Sequence, residues 1–184
     1  MTNSLQIFLK PFIVTLLLSV SALAQQKGVK VAVTLFPAGD FVAQTSDVTG
    51  FAEIVSPTEV KASNIKINLK SLKTGMDLRD DHAKNKYLDV NKYPEAILMS
   101  ATGKNGKGSG VLKMRNKESK IEGTYTLLAG NKFLKAEFKT KLSEYDIKEI
   151  NYKGVGVDDE IKVEVIVPVQ AAAATPAAKP PGKK

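Results

Sequence analysis

Histidine occurs once in the 184-residue chain, at His82, and cysteine never. A zinc centre of nitrogen and sulfur ligands therefore cannot be assembled from one copy of the chain. Around His82 stand Asp77, Arg79, Asp80 and Asp81. These carboxylates could meet a hard cation, but the spaced oxygen ligands, central glycine and closing bidentate glutamate of a cation loop are missing. They equally suit the start of a helix, where the backbone dipole favours negative charge, and no metal site is expected. A nucleophilic enzyme would need His82 beside a serine or threonine and an acid, and the chain has no Gly-x-Ser-x-Gly turn. No catalytic residue is assigned, and His82 is expected to cap or pack a helix. Arg79 has two readings: an ion pair with Asp77 or Asp80, or a cation offered to a planar acidic group. The segment Gly103 to Gly110, GKNGKGSG, lacks the Gly-Lys-Ser/Thr of a phosphate loop and reads as a hairpin loop.

The elements that must position these groups are legible on both sides of them. Ile65, Ile67 and Leu69 alternate with Lys66, Asn68 and Lys70, the period of a strand with one buried face. The alternation stops at Gly75. From Met76 to Val90 the apolar residues Met76, Leu78, Ala83, Tyr87 and Leu88 recur at helical spacing, which predicts one surface helix. Lys92-Tyr93-Pro94 then imposes extended backbone before a strand over Ala96 to Gly103. Further strand signals cover Val29 to Phe36, Asp40 to Thr49, Phe51 to Val55, Val60 to Leu72, Gly110 to Asn116, Lys120 to Leu128, Phe133 to Leu142 and Glu160 to Val169. In the last of these, Ile161, Val163, Val165, Val167 and Val169 share one face. A single helix cannot cover the apolar face of so many strands, so the sheet is expected to close on itself as an antiparallel β-barrel of about eight strands, with the helical link at one end. Alternation points Phe41, Phe51, Ile65, Ile67, Leu69, Leu72, Met76, Leu88, Tyr93, Ile97, Met99, Tyr125, Leu127, Phe133 and Phe138 inward, as core or as the lining of a channel. Met76 and Met99 would suit a flexible guest.

The run SLKTGMDLRDDHAKNKYLDVNKYPEAILMSA resembles the YceI-like family of bacterial polyisoprenoid-binding proteins, with its Ser-Leu-x-Thr-Gly, Arg-Asp-x-His and Tyr-Pro motifs. Gly154-Val155-Gly156-Val157-Asp158-Asp159-Glu160-Ile161 resembles that family's closing turn. The resemblance covers roughly Val29 to Val169 and implies a lipocalin-like extended barrel around a long apolar channel. Two segments depart from the pattern. Leu127-Leu128-Ala129-Gly130 stands where a His-Gly is common, and Glu144-Tyr145-Asp146-Ile147 replaces an Asp-aromatic-Gly-Ile. What the resemblance implies for function is a non-enzymatic carrier of an isoprenoid-chain lipid, quinone or similar amphiphile, with Arg79 and His82 as contacts for its head group. It requires no cofactor beyond that guest. A homodimer formed through barrel surfaces is a further partner the resemblance implies.

The rest of the chain bounds the compartment. Residues 1–24 hold one cation, Lys10, an apolar run from Pro11 to Val20, and Ala22-Leu23-Ala24 as a small-x-small cleavage signal. Cleavage after Ala24 is expected, giving a periplasmic or secreted barrel domain over 25–169. Without cysteine that domain is held by its hydrophobic core, for which 43% hydrophobic residues suffice. Residues 170–184 are Ala/Pro/Lys-rich and read as a disordered tail. The net charge is +8, and setting aside Lys10 with the leader and Lys179, Lys183 and Lys184 with the tail leaves +4. Those lysines alternate along strands without an arginine cluster, so nucleic acid is not an expected partner, while the basic tail gives a weak attraction to anionic membrane surfaces. Two other functions compete with the carrier: a stress or interaction module whose barrel is filled by its own side chains, and a lipid hydrolase or isomerase with His82 as base.

Overall fold

The computed structural model describes residues 26–152 and 154–171. The expected leader, 1–24, lies outside them, as does the expected tail beyond Ala171. One sheet contains β1 (Gly28–Phe36), β2 (Gly39–Thr45), β3 (Val48–Thr49), β4 (Ala52–Ser56), β5 (Glu59–Asn68), β6 (Glu95–Lys104), β7 (Lys107–Met114), β8 (Lys117–Leu128), β9 (Phe133–Lys141), β10 (Asn151–Tyr152), β11 (Val155–Val157) and β12 (Glu160–Ala171). From β4 to β9 each strand pairs antiparallel with the next. β12 then pairs with β9 along one edge and with β4 along the other, closing a barrel of seven strands. This is the lipocalin-like all-β barrel expected, with one difference: the β12–β4 contact, Val169↔Ala52 to Ala171↔Ile54, is parallel, so the barrel is mixed.

The two ends of the barrel are built differently. At the β4 end, β12 touches β4 directly. At the other end β1 pairs with β12 over Lys162–Ile166, β2 pairs with β1, and the wall reaches β5 through the Gln44↔Lys73 bridge and β3. The inserted β1–β2 hairpin adds strands to the circumference, and barrel width grows with strand number.

Alternation is borne out along β12, where Ile161, Val163, Val165 and Val167 are buried and Lys162 is exposed. The strand continues through Gln170 and Ala171. On β5 and β6 the inward face changes parity midway. Val60 and Ala62 pack inward before Asn64, which takes positive φ, and Ile65 and Ile67 after it. On β6 the bulge between Leu98 and Ser100 moves the inward face from Ala96 and Leu98 to Ala101 and Gly103. Only Asn105 and Gly106 of the glycine-rich segment form the β6–β7 turn, both at positive φ as a tight two-residue hairpin requires. The other glycines of that run lie in the strands.

The link after β5 begins as a 3-10 turn, Leu69–Ser71, and the helix follows as α1 (Asp77–Asp81), running on as a π-helical turn over His82–Leu88. It ends at Asp89, in the left-handed conformation. Its start is fixed by Asp80, a buried carboxylate that accepts from the Thr74 amide and hydroxyl, both at 2.7 Å, with the Lys73 ammonium at 3.2 Å. Burial alone would raise the Asp80 pKa, but the Thr74 bonds and Lys73 outweigh it and hold the carboxyl below its ordinary range.

Candidate functional site

A chamber of about 400 Å³ occupies the wide end of the barrel. Its walls are Val29, Val31, Val33 and Leu35 of β1, Phe41 and Ala43 of β2, Ile161 and Val163 of β12, and Ile67, Leu69 and Leu72 at the end of β5 and just beyond. These contributions follow from period-two alternation on strands whose other face is wet. The helix covers the chamber with Leu78, Arg79, His82, Ala83, Tyr87 and Leu88. Met76 and Leu78 are about half exposed while Val33 and Leu69 are buried, so the mouth lies at the helix start. A smaller chamber of about 90 Å³ occupies the narrow end, bordered by Val60, Ile65, Leu98, Tyr125, Phe138, Val165 and several glycines. Gly103 is one of the tight ones. A Cβ there would stand 2.5 Å from the Tyr125 ring and 2.9 Å from Val60, so the bare backbone seats the tyrosine, whose hydroxyl donates to the Thr58 carbonyl at 3.0 Å.

Of the polar side chains that line the larger chamber, Arg79, His82 and Tyr87 come from the helix, Thr74 from the link before it and Thr140 from β9. Arg79 holds its guanidinium 4.3 Å from the centre of the Phe41 ring, within cation–π range. The carboxylate of Asp80, one of its expected ion partners, is engaged by Thr74 and Lys73 instead. His82 occupies the C-cap position of α1 and lines the chamber. Tyr87 also lines it, and its buried hydroxyl has no hydrogen-bond partner among the described residues. An orphaned hydroxyl in an apolar enclosure is a ready partner for an oxygen-bearing guest. Among the described residues no group of three His, Asp or Glu side chains could hold a metal ion.

Of the residues expected inward, Phe41, Ile67, Leu69, Leu72, Met76 and Leu88 border the larger chamber together with Arg79 and His82. Ile65, Tyr125 and Phe138 border the smaller one. Phe51, Tyr93, Ile97, Met99, Leu127 and Phe133 line neither. Phe51 and Met99 are exposed; the inward positions beside them are Ala52 and Leu98. Ile97 fails for the same reason, because the small Ala96 and not the larger isoleucine faces the chamber. Tyr93 lies beneath the Arg115 guanidinium at 5.7 Å, and Leu127 packs on the core. Sequence reasoning missed the whole β1 contribution, although Val29, Val31, Val33 and Leu35 alternate, and it missed Tyr87, taken as an apolar helical position.

The two segments that depart from the motif pattern are both tight turns. Ala129, Gly130 and Asn131 take positive φ in succession between β8 and β9. Asp146, standing where glycine is usual, takes φ 57°, and a short acidic side chain tolerates that conformation. Beside it Tyr145 is fully buried, its hydroxyl 3.1 Å from that of Thr140.

A closed barrel with an apolar chamber beneath a helical cover belongs architecturally to the lipocalin-like β-barrels. The chain is a member of the YceI-like domain family, whose family model matches residues 23–168. Among solved structures it is similar to a polyisoprenoid binding domain from Saccharophagus degradans implicated in plant cell wall breakdown, at 13% identity and a TM-score of 0.54, over 77% of this chain and 91% of that one. It is also similar to Burkholderia cenocepacia BcnA, at 14% identity and a TM-score of 0.57, over 77% of this chain and 96% of that one. At these identities the likeness is one of fold. Among curated proteins none matches the sequence.

Proposed function

We propose that the protein is a non-catalytic carrier that takes an isoprenoid-chain lipid, quinone or similar amphiphile into the larger chamber, with its polar end beside Arg79, His82 and Tyr87. The observation that carries this reading is an open chamber of about 400 Å³ whose walls are mostly apolar and whose charged and aromatic polar side chains, Arg79, His82 and Tyr87, come from one helix. That volume lies in the range of sites that enclose small molecules. Burial of the guest's chain supplies the binding energy, at about 25 cal/mol per Å² of apolar surface, and the helix groups orient the polar end. The binding property named for the Saccharophagus domain supports the same class of guest. A barrel filled by its own side chains, acting as a stress or interaction module, is disfavoured by the open volume. Export by cleavage after Ala24 is part of the proposal and rests on the leader-like residues 1–24, so that the carrier works in the periplasm or outside the cell.

Calorimetric titration with a short-chain quinone tests the proposal. Saturable uptake of one molecule per chain with a negative heat-capacity change is expected, the mark of apolar burial. A titration without saturable heat at any temperature would refute it.

A further inference from the structure

The two chambers are stacked along one barrel. On four strands, successive inward residues pass from the smaller to the larger: Ile65 to Ile67 on β5, Leu98 to Ala96 on β6, Phe138 to Thr140 on β9, and Val165 to Val163 on β12. Between them lie Leu98 and Phe138. Both border the smaller chamber, and both pack against each of the two buried clusters that form the core. Phe138 faces Gly123 across the β8–β9 ladder, and a Cβ at Gly123 would come within 2.8 Å of the Phe138 Cβ. The missing side chain at 123 gives Phe138 its seat.

We infer that Leu98 and Phe138 set the chain length of the cargo. They stand between the two chambers and border the smaller, so the apolar chain of a bound amphiphile runs from the helix end to this layer and stops there. The space of about 90 Å³ beyond it lies out of the chain's reach. This rests on the carrier reading above. Its physical basis is that a chain segment gains affinity only while it leaves water. Each isoprene unit that fits above the layer tightens binding at least ~10-fold, and a unit that must remain outside the mouth adds nothing.

The test measures Kd for geraniol, farnesol, geranylgeraniol and geranylfarnesol with the full chain and with Phe138→Ala and Leu98→Ala, each checked for a cooperative thermal transition. Wild type is expected to gain affinity along the series up to one member and then level off. Truncating the layer joins the small chamber to the large one and moves that levelling point one isoprene unit later. Should Phe138→Ala not fold, Leu98→Ala decides. Wild-type affinity that rises through the whole series, or a levelling point unmoved in a folded variant, overturns the length rule and leaves the carrier reading standing. No binding of any prenol by wild type overturns both.

Discussion

Replacing Ala83 by phenylalanine separates an open chamber from a packed interior. Ala83 lies on the π-helical turn and lines the larger chamber. In a close-packed core the added ring would force neighbours off their rotamers at about 1–3 kcal/mol. In open space of about 400 Å³ the ring has room, and what remains is the lower helix preference of Phe relative to Ala, about 0.5 kcal/mol. For a domain of this size that corresponds to a Tm lowered by about 1–2 °C. Binding responds much more strongly. The ring excludes roughly the bulk of four or five guest methylenes, and at about 0.8 kcal/mol each the loss is about 3–4 kcal/mol, a Kd weakened by roughly two to three orders of magnitude. Thermal denaturation followed by circular dichroism and titration with farnesol read the two effects on one sample. A variant that binds as tightly as wild type, or one destabilised by more than about 2 kcal/mol, would refute the picture of an open chamber that admits a guest.

Three further substitutions test the framework of the site. Asp80→Ala leaves the Thr74 amide and hydroxyl without their acceptor and should cost about 1–3 kcal/mol in urea unfolding. Because the folded pKa of Asp80 is lowered, its contribution is fully present above the unfolded carboxyl value of about 3.9 and is lost as pH falls through the folded value; the acid limb of the wild-type stability curve should therefore be shallower in the variant, and identical limbs would contradict the assignment. Gly123→Ala sets a Cβ against the Glu137 carbonyl oxygen and Phe138, with an expected loss of about 1–3 kcal/mol, whereas an unchanged unfolding midpoint would show that Phe138 is not seated there. Tyr145→Phe deletes the buried hydroxyl that meets Thr140 and should cost about 1 kcal/mol by chemical denaturation.

Strand alternation made the barrel legible because each strand has one wet face, so Lys and Glu mark the outside and the opposite positions follow. Closure also followed from arithmetic of faces: one helix cannot cover the apolar side of a sheet this large. The parallel β12–β4 contact was beyond sequence, since pairing direction across the barrel seam depends on where the chain's ends meet. β10 and β11 went unseen for another reason: they are two and three residues long, and a period cannot be read over such spans. The site was legible where alternation held its phase and lost where it slipped. On β6 the size of Ile97 and Met99 points to them as inward, but Ala96 and Leu98 face in, and the bulge at Leu98/Ser100 changes the phase again. Small residues at inward positions are the signature of a cavity, because a hollow barrel needs wall atoms without filling side chains. That signal was present in Ala43, Ala96 and Gly103. Arg79 and His82 stand out in the sequence through the Arg-Asp-x-His run and the single histidine, while Tyr87 hides among apolar helical neighbours.

Native mass spectrometry of the protein expressed from its full sequence, followed by organic extraction and lipid analysis, tests most directly whether the barrel carries an amphiphile. A stoichiometric adduct that yields an isoprenoid chain or quinone on extraction is the predicted result. A bare polypeptide mass, unchanged after incubation with quinones, prenols and fatty acids, would contradict it.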